Sequence, residues 1–340
     1  MSDLETVNWL LGAVRACPPH EIHKYFSPAL TLFRFLPAAE RRQCAREFKD
    51  WAYAHAERES LKCGYADFLE AMDHFRREEH DASLQKLTEA RTRFEELHDP
   101  EGRGLTSMLI GGTYRTLGHF DLALKVLWEG YGLLKESGHY PAFVAAAANG
   151  IANINLELHQ YNEALGMFEV TRDESARAGD YYFTNYALQG LGKVHLHHGQ
   201  LDAAKEQFTQ ALQLAQQHEN PLQIAASLTE LADLHLRSDD LASAESLHGR
   251  ALAIREEHHL TGGAVTSCVR LGEIHIRRSQ WDDALAVLNK GLSIAEQSHV
   301  KPRIAQVQLM LSRLHEGRHE LEKSLLHYKR YHELREEVER

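Results

Sequence analysis

Cysteine is scarce in this chain, four among 340 residues, and Cys17, Cys44, Cys63 and Cys268 form no Cys-x-x-Cys pair. That spacing excludes a zinc ribbon and a thioredoxin-type redox pair, and it leaves reduced thiols in or near a core as the expectation. Proline is also rare, 8 of 340, and long runs of Val, Ile or Thr that would support strands are few. No apolar stretch reaches the roughly 18 residues that suggest a membrane-spanning helix, and mean hydropathy is −0.44. The opening Met-Ser-Asp-Leu-Glu lacks the basic and apolar segments of a secretory signal, which makes the cytoplasm the expected location. Basic residues are in deficit, 38 against 49 acidic, for a net charge of −11. Such a charge argues against a general nucleic-acid binder, whose affinity comes from Lys and Arg neutralising phosphates.

Catalytic signatures are missing as well. There is no Walker loop, no Gly-x-Gly-x-x-Gly after a strand, no Gly-x-Ser-x-Gly and no His-Glu-x-x-His. The pairs Gly111-Gly112 and Gly262-Gly263 suit a helix crossing and a turn. The expectation is therefore a protein that is not an enzyme and holds neither cofactor nor metal.

What the chain does contain is 43% apolar residues, enough for a large core, among abundant helix formers such as Ala, Leu, Glu, Gln and Arg. The main signal is periodic. Small residues recur at Ser83, Ala123, Ala164, Ala204, Ala244, Ala284 and Ser324, in steps of 40, 41, 40, 40, 40 and 40. A second small register lies 12 residues earlier, at Ala71, Gly111, Ala152, Gly192, Ala232, Gly272 and Ser312. Small residues at a fixed offset suit two antiparallel helices whose backbones approach closely. Large apolar residues flank both registers: Ile110, Ile151, Leu191, Leu231, Leu271 and Leu311 on one side, and Leu87, Leu127, Phe168, Phe208, Leu288 and Tyr328 on the other, with His248 as the exception. This is the spacing of a helical hairpin. Between hairpins, Asp99-Pro100, His139-Tyr140-Pro141, Gly179-Asp180, Asn220-Pro221, Gly262-Gly263 and Lys301-Pro302 supply stop and start signals.

The chain resembles tetratricopeptide repeat proteins in Leu191-Gly192-Lys193-Val194-His195 and Leu271-Gly272-Glu273-Ile274-His275, followed by GQLDAA at 199–204 and SQWDDAL at 279–285. The resemblance implies an all-α, right-handed superhelical solenoid of about seven hairpins, near 66–98, 102–138, 142–179, 182–219, 222–259, 262–299 and 302–338. A period of 40 where the family usually has 34 implies helices longer by about one and a half turns per hairpin. His74, Ser83, Ser312 and Ser324 depart from the pattern in the terminal units, as repeat ends do. Residues 1–62 read as an N-terminal helical cap, with helices near Leu4–Ala16 and Glu21–Phe35 and a third after Leu36-Pro37, and residues 63–340 read as the repeat domain. An alternative reading makes the first segment a separate effector-binding bundle.

In this family the concave surface, lined by the first helix of each hairpin, is the usual ligand site. Carrying over its inward-facing positions gives Tyr65, Phe68, Met72 and Arg76 in the first unit, Met108 and Arg115 in the second, and Asn149 and Asn153 in the third. Tyr186, Gln189 and Lys193 follow, then Thr229, Asp233 and Arg237, then Glu273 and Arg277, and finally Arg313. Related peptide-binding members use asparagines one turn apart to hold a peptide backbone, a role open to Asn149 and Asn153. The basic residues Arg76, Arg115, Lys193, Arg237, Arg277 and Arg313 suit an acidic peptide or a terminal carboxylate. Ion pairing with Glu157, Asp233 and Glu273 is the competing expectation.

The 23 histidines raise a separate question. His195, His235, His275 and His315 fill one repeat slot, with His74, Tyr114 and Asn155 in the other units. Helix packing is the expected role. A metal clamp at His195 with His198, or at His315 with His319, and a pH-responsive stack are the alternatives.

The closing segment 324–340 is an amphipathic charged helix that offers a dimerisation surface. It resembles the end of bacterial sensor regions that run into a nucleotide cyclase or another signalling output, which would make this chain the sensor part; a capping helix that simply ends there is the alternative. These features together predict a non-catalytic module that binds a protein or extended peptide, and neither nucleic acid nor membrane, as part of a bacterial signalling system. Two rivals stand beside it. One is an adaptor holding two proteins together; the other is a Rap-type response-regulator phosphatase or peptide receptor, for which Gln43 is the only glutamine available in residues 1–62.

Overall fold

The computed structural model describes residues 3–55, 60–297 and 300–339. Among the described residues there are seventeen α-helices, one short 3-10 turn at Pro19–Glu21 and no strand. In chain order they are α1 (Asp3–Ala16), α2 (Ile22–Phe33), α3 (Ala38–His55), α4 (Leu61–Arg76), α5 (His80–Glu96), α6 (Pro100–Thr116), α7 (Phe120–Ser137), α8 (Pro141–Glu157) and α9 (Tyr161–Arg177). Then come α10 (Tyr181–His197), α11 (Leu201–Gln217), α12 (Pro221–Arg237), α13 (Leu241–Glu257), α14 (Thr261–Arg277), α15 (Trp281–Gln297), α16 (Lys301–Gly317) and α17 (Leu321–Glu339). The all-helical hairpin repeat anticipated from the 40-residue period is what the chain forms. It divides into two compact units, Met1–Gly190 and Leu191–Arg340.

In the first unit α4 pairs with α5, α6 with α7 and α8 with α9, while α1, α2 and α3 pack ahead of them. One apolar cluster runs from Val7 through Phe26, Phe48, Tyr65, Phe68 and Phe94 to Ala147, joining the N-terminal helices to the first repeats. In the second unit α12 pairs with α13, α14 with α15 and α16 with α17.

The two small registers meet across the first and last hairpins. Ser83 Oγ donates to the Ala71 carbonyl at 3.0 Å, and the Ser312 and Ser324 hydroxyls lie 3.1 Å apart. Glycine in the second register serves a further purpose. A Cβ at Gly111, Gly192 or Gly272 would overlap Leu127, Phe208 or Leu288 respectively. The missing side chain makes the hole that the next helix fills, which is the condition for close packing.

The turns repeat as strictly as the helices. Positive φ occurs at Glu78, His98, Gly118, Gly138, His159, Gly179, Gly199, Glu219, Asp239, His259 and Ser279 at intervals of 20 or 21 residues, and again at His319. At each of these turns except that of Gly138, the next residue's N–H returns to a carbonyl five positions earlier, as in Glu79 to His74 and Gln200 to His195, the closure of a Schellman turn; at Gly138 the His139 N–H donates to Ser137 Oγ instead.

That turn explains the histidine slot. Each ring Nδ1 lies at hydrogen-bonding distance from the side chain five residues on: Glu79 from His74 (2.6 Å), Gln200 from His195 (2.6 Å), Asp240 from His235 (3.0 Å), Gln280 from His275 (2.9 Å) and Glu320 from His315 (2.7 Å). Side chain and backbone thus tie the same two residues, so these histidines brace the hairpin turn. Glu79 and Glu320 are held below the usual carboxylate range, first by the hydrogen bonds from His74 and from Lys323 respectively.

Candidate functional site

The positions carried over from the family fall on the first helix of each hairpin, α4, α6, α8, α10, α12, α14 and α16. Their accessibility divides them. Tyr65 and Phe68 are fully buried, and Tyr65 donates its hydroxyl to Asp99 Oδ2 at 2.8 Å. Met72 and Met108 are buried too. In this conformation the four side chains belong to the core and offer no surface to a ligand, because large apolar groups at these positions find more burial inward.

Within the first unit, Arg76 at the end of α4 is exposed and Arg115 near the end of α6 is half-buried. Neither has a carboxylate ion-pair partner among the described residues. Asp73, one turn before Arg76, is taken by Arg41 at 3.3 Å and Arg77 at 3.8 Å. Both guanidinium groups act on the Tyr186 hydroxyl in α10. That hydroxyl is pushed well up, first by burial and then by Tyr182, with Arg76 and Arg115 pulling the other way. Tyr182, which sequence reasoning did not select, stacks edge-on to Tyr186 with centroids 5.0 Å apart and hydroxyls 3.3 Å apart. Its one-turn spacing from Tyr186 was the available signal.

Asn149 and Asn153 are both half-buried on α8. Asn153 Nδ2 donates to the Asn149 carbonyl at 2.7 Å and to Asn149 Oδ1 at 3.2 Å. The pair is therefore pre-bonded. Asn149 Nδ2 and Asn153 Oδ1 keep their capacity for a further partner. Gln189, by contrast, is buried and donates to Asn185 Oδ1 at 2.6 Å.

In the second unit much of the expected basic character is cancelled. Lys193 Nζ pairs with Glu230 at 2.8 Å, and that charge is the first cause of the raised lysine pKa. Arg270, not selected from the sequence, contacts both Asp233 and Glu273 at 3.0 Å, and Arg277 reaches Glu273 at 2.9 Å. The buried Thr229 hydroxyl is spent on the Ala225 carbonyl at 2.8 Å. Arg237 and Arg313 remain exposed, without a carboxylate ion-pair partner among the described residues. The uniform basic line expected from sequence is thus broken by ion pairs at Lys193 and Arg277. Glu157, expected as a partner, takes part in no ion pair among the described residues.

No described helix is long and apolar enough to cross a membrane. No curated protein matches the chain. Among solved structures the chain is similar to the apo form of the quorum sensor NprR from B. thuringiensis, with TM-score 0.69 and 16% identity over 96% of this chain and 91% of that one. It is similar to a Rap protein complexed with competence and sporulation factor, with TM-score 0.68 and 14% identity over 98% of this chain and 99% of that one. A third is a signal transduction ATPase with numerous domains and a tetratricopeptide repeat sensor from Pyrococcus horikoshii, with TM-score 0.64 and 16% identity, matching 98% of this chain and 52% of that one. At such identities the likeness is one of fold. The model of the MalT-like TPR region matches residues 131–338, more than half of the sequence. The chain therefore belongs to the family of MalT-like tetratricopeptide repeat regions.

Proposed function

We propose that this protein is a peptide- or protein-binding regulatory module, and that it takes an extended acidic segment against the first helices of its N-terminal repeats. The observation that carries this reading is the pair Arg76 and Arg115, on the first helices of successive repeats, accessible and without carboxylate ion-pair partners among the described residues. Guanidinium groups left without an internal carboxylate can meet one on a ligand by charge-assisted, geometrically specific bonds. Asn149 and Asn153 add side-chain amides for a peptide backbone. A ligand spanning several repeats would change how neighbouring repeats pack, since each hairpin touches chiefly its neighbours. The similarity in fold to a quorum sensor and to a Rap protein complexed with competence and sporulation factor fits a role in signalling.

The test is fluorescence anisotropy on the full chain with labelled extended peptides of graded Asp and Glu content. Acidic peptides should bind and weaken with salt, and Arg76→Ala with Arg115→Ala should cost about tenfold or more, since hydrogen bonds to charged groups are worth about 1.5–3 kcal/mol. Equal binding of neutral peptides, or unchanged affinity in both the arginine and the Asn149→Ala, Asn153→Ala variants, would overturn the reading. Dimerisation through α17, which exposes Leu321, Leu325, Leu326 and Tyr328, belongs to the same proposal and is read from the solution mass of the chain.

A further inference from the structure

A polar cluster in the first unit lies apart from the face just described. Asp99 caps α6, accepting from the Gly102 N–H at 3.2 Å, and Glu101 stands in the first turn of that helix. Both carboxylates are more than nine-tenths buried. No lysine or arginine forms an ion pair with either among the described residues. Their neighbours are imidazoles. His23 Nε2 contacts Glu101 Oε2 and lies 4.0 Å from Asp99 Oδ1, and His139 Nδ1 is 2.5 Å from Glu101 Oε1. The two rings stack with centroids 5.5 Å apart and planes 5° apart.

The hydrogen bonds around this cluster follow one pattern. His23 Nδ1 is held by the Tyr140 hydroxyl at 2.7 Å, Asp99 Oδ2 by the Tyr65 hydroxyl and the Gly102 N–H, and Glu101 Oε1 by His139. Each side chain is thereby fixed through one heteroatom, and the remaining atoms face one another, with His23 Nε2 in direct contact with Glu101 Oε2. The three inward atoms, from His23, Asp99 and Glu101, lie within 4.8 Å of one another. Metal ligands are oriented in this way, the outer atom bonded to a second partner so that the inner lone pair faces the ion. Ligand bonds of about 2.0–2.2 Å to zinc put neighbouring ligand atoms roughly 3.4 Å apart, so the 4.0 Å between His23 Nε2 and Asp99 Oδ1 suits one ion, while the direct contact of His23 Nε2 with Glu101 Oε2 has to open by about 1 Å through side-chain rotation to admit it. A dication would also neutralise two carboxylates that burial otherwise leaves costly.

We propose that His23, Asp99 and Glu101 form a site for a divalent transition cation, with one nitrogen and two oxygen ligands and a fourth position open on the side of the exposed His139. The donor set is the intermediate kind that suits Zn²⁺, Co²⁺ or Mn²⁺ and gives no advantage to a thiolate-seeking ion. Because His23 belongs to α2, Asp99 and Glu101 to the start of α6, and His139 to the turn before α8, the ion would fasten the N-terminal helices to the first repeats.

The experiment is titration of ZnCl₂ into the chelator-treated full chain by calorimetry, with Co²⁺ visible absorption as a report on the coordination sphere. One saturable equivalent, Co²⁺ bands typical of mixed nitrogen and oxygen ligation, and a raised thermal midpoint are expected. His23→Gln and Glu101→Gln should abolish that equivalent. Tyr140→Phe, which keeps the ring and removes only the hydroxyl that orients His23, should weaken it about tenfold or more. Far-UV circular dichroism checks that each variant is folded, and if one ligand variant does not fold, the other and Tyr140→Phe decide. Absence of the equivalent overturns the proposal. So does undiminished binding in the folded variants, which would place the ion on the surface histidines.

Discussion

His248 stands where the other repeats put a large apolar or aromatic side chain. The equivalent Leu87, Leu127, Phe168, Phe208 and Leu288 are 0 or 1% exposed, and so is His248 at 0%. Neither of its ring nitrogens has a hydrogen-bond partner, although Nε2 lies 3.5 Å from Asp233 Oδ1. Leaving a buried polar atom unsatisfied costs about 1–3 kcal/mol. His248→Leu has nearly the same volume, removes both orphan atoms and adds apolar burial, while Asp233 keeps Arg270 at 3.0 Å. We expect the second unit to gain about 2 kcal/mol, seen as a thermal midpoint raised by about 4–8 °C at the scale of a 150-residue unit. The reverse change one repeat on, Leu288→His, should cost about 3 kcal/mol by the same reasoning. Circular dichroism melts of the full chain at neutral pH measure both. An unchanged or lower midpoint in His248→Leu would refute the argument, since it would mean that water satisfies the ring or that Asp233 gains more from it than burial costs.

Two glycines on α7 should respond in opposite ways to alanine. A Cβ at Gly130 would come within 2.7 Å of the Met108 backbone nitrogen, whereas one at Gly132 meets nothing within 4 Å; Gly130→Ala should lose about 2 kcal/mol and Gly132→Ala gain up to about 1 kcal/mol in urea denaturation. The left-handed turn residues Glu219, Asp239, His259 and Ser279, all with φ between 48° and 58°, should each gain about 0.5–1 kcal/mol on replacement by glycine, which avoids the Cβ clash, and a urea midpoint that fails to move would count against strain at these turns. Burial pushes the Cys44 and Cys268 thiols up to about 11, so at pH 8 only about one in a thousand is thiolate. Iodoacetamide should leave both unmodified in the folded chain and label them once denaturant is added; rapid native labelling would contradict their burial.

The elements legible in the amino-acid order are those whose contacts are short in chain distance. A hairpin joins residues 12 apart, as at Ser83 and Ala71, and its turn joins residues five apart, as at His195 and Gln200. Those contacts recur with the period, so seven in-phase copies make the pattern visible. The paired role of each slot histidine was not legible, because one imidazole at helical spacing serves a turn, a core or a metal equally well. Which cations of the predicted face stay available is settled by packing between helices. Lys193 and Arg277 are claimed by Glu230 and Glu273, while Arg76 and Arg115 are not. That outcome depends on which side chains meet across neighbouring helices, and residue type alone does not specify it. The cluster of His23, Asp99, Glu101 and His139 was invisible for the same reason: its members come from separate elements up to 116 positions apart in the chain (139 − 23). No spacing rule joins them, and they meet because the apolar faces of α2, α6 and α8 share one core.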